Sequence, residues 1–263
     1  MESKLKTAGD CSVPALGLGT WKLRGKECED VVRKALDIGY RHIDTAIFYG
    51  NEQEVGKAIR GHSRDELFVT TKIWKDKLRY RDFKSEAEGS LKRLDTDYVD
   101  LLLIHWPNPE IPLEETIKAM DELVEEGKAL NIGVSNFDES QLSKARELSD
   151  NPIVNNQVKY HLGMDLTSLL NYCRKNEVLL TAYSPLGRGK VLERDELTKI
   201  ASRYGKTPGQ IALKWLVRQA QVLAIPKASS EIHLKENIDI FDWKLKEKDV
   251  KKLDQLVIES RID

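Results

Sequence analysis

Apolar residues along this chain recur in two rhythms that alternate from one end to the other. Short continuous apolar runs, too short for helices and rich in branched and aromatic residues, predict buried strands. They cover 13–21, 40–46, 67–74, 98–106, 130–136, 153–160, 178–184 and 222–226. Between them the apolar positions are spaced by three and four. Val31, Val32, Ala35, Leu36 and Ile38 mark a helix over 26–38; Val55, Ala58 and Ile59 mark one over 51–60; Phe83, Ala87, Leu91 and Leu94 mark one over 83–94. Further helices are predicted over 113–126, 138–149, 165–176, 193–204, 207–219, 231–237 and 247–258. The punctuation agrees: Gly39 and Gly127 stand at helix ends, Asp138 caps one start, and Thr207 caps another with Pro208 at the first helical position. Residues 4–13 read as a polar lead-in hairpin.

Eight strands, nearly all followed by helices, with no linker, low-complexity segment or clear internal repeat, predict one α/β domain over 1–263. An open doubly wound sheet should carry G-x-G-x-x-G after an early strand. Here Gly17-Leu18-Gly19 runs into Thr-Trp-Lys instead. The count points to a closed (β/α)8 TIM barrel, with a lead-in hairpin and extra helices after the seventh strand and at the C-terminus.

That fold gathers chemistry at the C-terminal ends of its strands. Those ends read Trp21, Asp44, Lys72, His105, Ser135 with Asn136, Gln157 with Tyr160, Tyr183 with Ser184, and Lys227. A carboxylate closing an apolar strand is costly unless a cation meets it, and Lys72 closes the next predicted strand. Tyr49 lies five residues after Asp44. A phenol near an ammonium is expected to become more acidic, and the carboxylate would hold that ammonium charged and aimed. His105 could orient a substrate oxygen, and Trp21, Phe48, Trp74 and Trp106 would line the mouth. Such a site suits protonation of a carbonyl oxygen that receives hydride, and hydride needs a cofactor because no side chain donates it. Ser135, Asn136 and Gln157 could hold a carboxamide, Tyr183 could stack on a flat heterocycle, and the turn 184–190 with Lys227, Ser229 and Ser230 could hold phosphates.

Taken singly, each residue has a plainer reading. Asp44 and Lys72 are ordinary ion-pair residues, His105 and His42 ordinary core histidines, the tryptophans core, and Gly187-Arg188-Gly189 a turn. Their joint placement at successive strand ends is the signal. Balanced charge, 42 basic against 43 acidic residues, excludes a general pull toward nucleic acid or anionic membrane. Cys11, Cys28 and Cys173 follow no metal-ligand spacing and suggest free thiols in a reducing, cytoplasmic compartment. The first ten residues hold no apolar run of the kind a signal peptide needs.

The sequence resembles the aldo-keto reductases across nearly its whole length. The matching pieces are 17–21 (GLGTW), 39–46 (GYRHIDTA), Tyr49 with Asn51-Glu52, 71–74 (TKIW), 102–107 (LLIHWP), 132–137 (IGVSNF), 182–189 (AYSPLGRG) and 225–227 (IPK). The resemblance implies NADP(H), with NAD(H) as the alternative, bound without a separate dinucleotide domain. It implies Asp44, Tyr49, Lys72 and His105 as a catalytic tetrad with Tyr49 the acid. It implies Ser135, Asn136 and Gln157 on the carboxamide and Tyr183 on the nicotinamide. Ser184, Leu186 and a loop from Lys227 through Ser229, Ser230, His233 and Asn237 would hold the rest. Partners are then a small carbonyl or alcohol substrate, with the protein a monomer or weak homodimer.

Two departures from the family pattern bear on function. His233 stands where an Arg is usual and Ala228 where Ser is common, which predicts relaxed discrimination between NADPH and NADH. The stretch Asn108–Pro112 is short where larger members carry a long loop, and little chain follows the last helix, so an open pocket for keto-sugars and small aldehydes is expected. Two other functions share the fold: a Schiff-base lyase using Lys72, which Asp44 opposes by holding the amine protonated, and a non-catalytic nucleotide-binding barrel.

Overall fold

A computed structural model describes residues 4–259. The chain opens with an antiparallel hairpin, β1 (Leu5–Ala8) and β2 (Cys11–Pro14). The barrel follows: β3 (Leu18–Gly19), α1 (Gly25–Ile38), β4 (His42–Asp44), α2 (Glu52–Ile59), β5 (Phe68–Ile73), α3 (Tyr80–Leu94), β6 (Leu101–Ile104) and α4 (Leu113–Glu125). It continues with β7 (Ile132–Ser135), α5 (Glu139–Leu148), β8 (Ile153–Lys159), α6 (Thr167–Lys175) and β9 (Leu179–Tyr183). Then come α7 (Asp195–Tyr204), α8 (Pro208–Val217), β10 (Val222–Ile225), α9 (Glu231–Ile238) and α10 (Glu247–Glu259). Capping boxes at Asp138 and Thr207 start α5 and α8 as their sequences predict.

The eight strands β3 to β10 are parallel and pair in chain order. The seam between first and last closes through Leu16 and Ala224: Ala224 N donates to Ala15 O at 3.0 Å, and Gly17 N donates to Ala224 O at 2.9 Å. A Cβ at Gly19 would come within 2.7 Å of Ile225 O, so only a glycine lets the seam come this close. The first barrel strand is therefore shorter than the 13–21 read from the sequence. Cys11–Pro14 belongs to the hairpin, and only Leu18–Gly19 forms the ladder with β4. The apolar run is real, but it is divided between two sheets.

The barrel interior is stratified along its axis. At the floor, Phe68, Leu101, Leu103, Val154, Leu179 and Leu223 pack with Ala8, Cys11 and Val13 of the hairpin, which plugs the bottom. A register shift between β7 and β8 next to Ile132 is the irregularity that lets both Val154 and Asn155 face inward. Above the floor lies a neutral polar layer, in which His42 meets Thr70 Oγ1 at 3.1 Å and Asn155 donates to Thr181 Oγ1 at 2.8 Å. The charged residues come last, at the C-terminal mouth. A second, larger core fills the space between the outer strand faces and the helices. Tyr160, placed at the mouth from the sequence, belongs to that outer core: its ring packs 5.7 Å from Trp215 and its hydroxyl donates to Gln219 Oε1.

Close helix packing generates one test. A Cβ on Gly56 of α2 would lie 2.5 Å from Leu94 O and 2.8 Å from Arg93 O, both backbone atoms of α3. Gly56→Ala is expected to cost about 1–3 kcal/mol in urea unfolding. Gly61→Ala, whose Cβ meets nothing within 4 Å, is expected to be neutral or slightly stabilising. Equal effects at the two sites would refute the packing account.

Candidate active site

The ends of β4, β5 and β6 converge. Asp44 and Lys72 are 1% and 0% exposed, and Lys72 Nζ donates to Asp44 Oδ1 at 2.6 Å. A second Nζ proton goes to Thr45 O at 2.7 Å. The ammonium also lies 5.0 Å from the centre of the Tyr49 ring, so the phenol faces a cation through its π-face. Burial pulls the Lys72 ammonium below its ordinary value, with Asp44 and Glu52 opposing.

Tyr49 is delivered by a single 3-10 turn, Ile47–Tyr49, which Gly50 ends in the left-handed region at φ 62°. The turn is held from behind. Asn51 accepts from Thr45 Oγ1 at 2.7 Å and donates to Thr20 O and Leu23 O at 3.0 and 3.1 Å. Asn51 thereby stitches two strand-end loops together. Next to it, Glu52 accepts from Thr71 Oγ1 at 2.5 Å and pairs with Arg93 at 2.7 Å. Thr20, Thr45 and Asn51 carry no charge and no periodic signal, so only tertiary contact identifies them as the frame.

The phenol is not acidified as the sequence reading expected. Burial, then the charge of Asp44 and the neighbouring Tyr183, holds its pKa well above the ordinary value. Two of the ammonium's three protons go to Asp44 and to Thr45 O, and neither of these reaches the phenol oxygen. With its pKa held above the ordinary phenol value, Tyr49 is a protonated acid at physiological pH.

His105 is 7% exposed and stands edge-on to three rings: Trp74 at 5.0 Å and 89°, Tyr49 at 5.6 Å and 77°, and Phe48 at 6.3 Å and 84°. Burial and the Lys72 charge push it down to about 3, so the imidazole is neutral. Its Nδ1 is buried without a partner. A buried N–H without an acceptor costs about 1–3 kcal/mol, which selects the tautomer with the proton on Nε2. Around it Phe48 stacks on Trp74 at 4.0 Å and on Trp21 at 5.8 Å. Trp21, Phe48 and Trp106 remain 37%, 50% and 41% exposed, so aromatic surface is left open at the rim.

One cavity of about 320 Å³ unites these groups with the opposite wall. It is lined by Asp44, Tyr49 and His105, by Trp21, Phe48, Trp74 and Trp106, and by Ser135, Asn136, Gln157, Tyr183, Ser184, Arg188 and Lys227. Lys72 lies beneath this lining. The amide wall is tied together internally. Ser135 Oγ donates to Gln157 O at 2.7 Å, and Asn136 Nδ2 donates to Ser135 Oγ and His105 O, both at 3.0 Å. Tyr183 donates its hydroxyl to Asn136 Oδ1 at 2.9 Å. These bonds hold Asn136 in the left-handed region at φ 63°, a conformation Asn tolerates better than most residues. Gln157 Nε2 reaches across the barrel to Asp44 Oδ2 at 2.7 Å.

The remaining expected cofactor residues divide. Lys227 lines the cavity and Ser184 borders it at φ 49°. Leu186 is half-buried against the outer core and is not part of the lining. Ser229 is exposed, Ser230 caps α9 by accepting from His233 N, and Asn237 is buried at 7%. His233 is exposed and pairs with Glu236 at 3.1 Å. The reading from sequence took Arg188 only as part of the turn 184–190 and not as a site residue by itself; it stands in the cavity lining at φ 56° between Gly187 and Gly189. Its signal was a cation flanked by glycines, too common to single out. Among the described residues no three His, Cys, Asp or Glu side chains converge as metal ligands would. Burial pushes the thiols of Cys11, Cys28 and Cys173 up to about 12, which leaves them inert.

This donor set fits a nicotinamide dinucleotide phosphate. Amide and hydroxyl groups suited to a carboxamide, a tyrosine ring suited to a flat heterocycle, and the cations Arg188 and Lys227 suited to phosphates share one cavity with the acid–base groups.

Comparison with known proteins agrees. A model described as the aldo/keto reductase family matches residues 15–258. The glyoxal reductase of Bacillus subtilis (strain 168) is 37% identical over 266 residues, covering 100% of this chain and 95% of that protein. The crystal structure of a putative 2,5-diketo-D-gluconic acid reductase B superposes with a TM-score of 0.95 at 42% identity, covering 97% of this chain and 92% of the other. The Bombyx mori aldo-keto reductase, solved in complex with NADP, gives 0.88 at 32% identity with 97% and 93% covered.

The two buried imidazoles set a pH expectation. His105 and His42 are pushed down to about 3 and about 4, both chiefly by burial. The unfolded chain protonates them near 6.5. Between those values it binds protons that the folded chain does not, so their contribution to stability is complete above about pH 6.5 and is lost as pH falls toward 4. NMR titration should find both rings neutral at pH 5; a His105 midpoint near 6.5 would contradict the aromatic enclosure.

Proposed function

Since the chain belongs to the aldo/keto reductase family, we propose that its reaction is carried by Tyr49, His105, Lys72 and Asp44 at the barrel mouth. The protein is an NADP(H)-dependent oxidoreductase that reduces an aldehyde or ketone to an alcohol, reversibly. The observation that carries the assignment of residues is the fully buried Asp44–Lys72 pair directly behind a phenol and a neutral imidazole in one cavity.

NADP(H), when bound, supplies the hydride that adds to the carbonyl carbon. The chain's part is to orient the carbonyl and move one proton. His105 Nε2–H donates to the carbonyl oxygen and fixes its position. Tyr49 then gives its phenolic proton to that oxygen as negative charge grows there. The phenolate left behind is stabilised by the Lys72 ammonium facing its ring, and Asp44 keeps that ammonium charged and aimed. A high phenol pKa suits this order of events: the acid is fully protonated until an oxygen more basic than itself appears. A Schiff base at Lys72 would require the amine to reach the cavity, whereas it lies behind the lining with two of its protons on Asp44 and Thr45.

Ser135, Asn136 and Gln157 would hold the carboxamide, Tyr183 the nicotinamide face, and Ser184, Arg188 and Lys227 the phosphates. The substrate is read as a small aldehyde or dicarbonyl. An aromatic wall at an open mouth supports this, as does the 37% identity to a protein named glyoxal reductase. The protein is read as a cytoplasmic monomer or weak homodimer. Three buried free cysteines favour a reducing compartment, and no helix among the described residues is long and apolar enough to cross a membrane.

Tyr49→Phe should lower turnover about 10²–10⁴-fold while NADPH binding, read by tryptophan fluorescence, changes less than about threefold; unaltered turnover would remove Tyr49 as the acid. The cofactor preference is a second test. His233, in place of an Arg, is engaged by the Glu236 carboxylate, which would repel a phosphate dianion. NADPH should therefore be preferred over NADH by less than about a thousandfold in kcat/KM, roughly 4 kcal/mol, and His233→Arg should widen the ratio. A parent ratio above that limit would refute relaxed discrimination.

A further inference from the structure

The bond from Gln157 to Asp44 spans the barrel from β8 to β4, linking residues 113 apart in the chain at 2.7 Å. Both ends are buried, 2% and 1% exposed. It completes a set. Asp44 Oδ1 accepts from Lys72, and Oδ2 accepts from Gln157. A carboxylate with one oxygen held can still swing about its Cβ–Cγ bond; with both oxygens held from opposite sides of the barrel, it cannot. The backbone of Gln157 is pinned as well, since its carbonyl accepts from Ser135 Oγ and Asn136 N at 2.7 and 3.0 Å.

We propose that Gln157 is a positioning residue for the acid–base couple, clamping Asp44 so that Lys72 stays charged and directed at Tyr49. The proposal rests on the reading of Tyr49 and Lys72 given above. It differs from the carboxamide role expected from the sequence, because that role leaves Asp44 untouched. An amide has two N–H donors and one acceptor. One N–H is on Asp44, and the other N–H and Oε1 remain for a ligand, so the clamp can persist when the cofactor is present.

The consequence is a pH effect with a defined sign. The groups facing the Lys72 ammonium are Asp44 and His42 of β4, Glu52 of α2, Tyr49 of the intervening turn and His105 after β6. Burial lowers the Lys72 pKa, while Asp44 raises it through both charge and hydrogen bond. Tyr49 is pushed well above its ordinary range and His105 down to about 3, so neither titrates near the pH at which a weakened Lys72 would. Loosening Asp44 removes the main force opposing desolvation. Lys72 then loses its proton at lower pH, and the phenolate formed during reduction loses its counter-charge.

The test uses Gln157→Met and Gln157→Leu, two apolar replacements of different shape, so that one remains if the other fails to fold. In saturating NADPH and a small aldehyde, the alkaline limb of the turnover profile should move down by one pH unit or more, with turnover falling at least tenfold at pH 9 and less at pH 6. Loss of the carboxamide contact should weaken NADPH binding by a factor that does not change with pH, so the position of the limb, not the affinity, reads the clamp. An independent reading needs no variant: one side-chain amide proton of Gln157 in the cofactor-free protein should show the shift and slow exchange of a bond to carboxylate, and should keep both when NADP⁺ is added. Superimposable pH profiles would overturn the clamp. So would a tenfold loss of NADPH affinity with the limb unmoved, which would make Gln157 a cofactor ligand only. If the parent protein reduces no carbonyl in any condition, the proposed function fails instead, and the NMR reading still judges the bond.

Discussion

A single buried ion pair sets the terms for this structure. Moving an ammonium and a carboxylate out of water costs several kcal/mol or so per ion, and the attraction between them repays this only with good geometry and full hydrogen bonding. Asp44 meets both conditions, and Lys72 places two of its three protons on acceptors in good geometry. Each carboxylate oxygen has a donor, and the ammonium has a carbonyl as well as its counter-ion. The barrel makes this possible because adjacent parallel strands aim alternate side chains at one axis. Residues far apart in sequence then meet at nearly the same height.

The layers below the pair follow from the same constraint. A charged mouth directly on an apolar floor would leave polar atoms facing hydrocarbon. Instead a neutral layer of His42, Thr70, Asn155 and Thr181 lies between, partnered largely within itself. His42 is kept neutral there, pushed down to about 4. The hairpin then seals the floor with Ala8, Cys11 and Val13. The ion pair borders the cavity at the mouth, where Tyr49, His105 and the aromatic rim stand. The low-dielectric surroundings that keep the phenol protonated and the imidazole neutral are a product of this stacking.

The wall opposite the tetrad shows how binding and chemistry are joined. Asn136 ties the carbonyl of His105, the hydroxyl of Ser135 and the hydroxyl of Tyr183 into one network. Gln157 ties the same wall to Asp44. Groups expected to meet the cofactor are therefore hydrogen-bonded to groups expected to move the proton. Pre-organisation of this kind limits the rearrangement needed when a ligand arrives.

Much of this was legible in the sequence. Continuous apolar runs alternating with helical spacing gave eight strands and their helices, because a parallel barrel strand is buried on both faces and its helix on one. Asp44, Lys72 and His105 stood out because each interrupts an apolar run at the same relative place, where a charge or imidazole has no reason to be unless paired. What could not be read was direction and partnership. The sequence does not say that Val13 belongs to a plug and Leu18 to the barrel, that Tyr160 turns into the outer core, or that Gln157 spends a donor on Asp44. It also suggested the wrong sign for Tyr49, since proximity to a lysine reads as acidification until the burial of both is known. Side-chain type and spacing are local quantities, set by the chain alone. Desolvation and the choice of hydrogen-bond partner depend on which distant strand lies opposite, and only the closed barrel decides that.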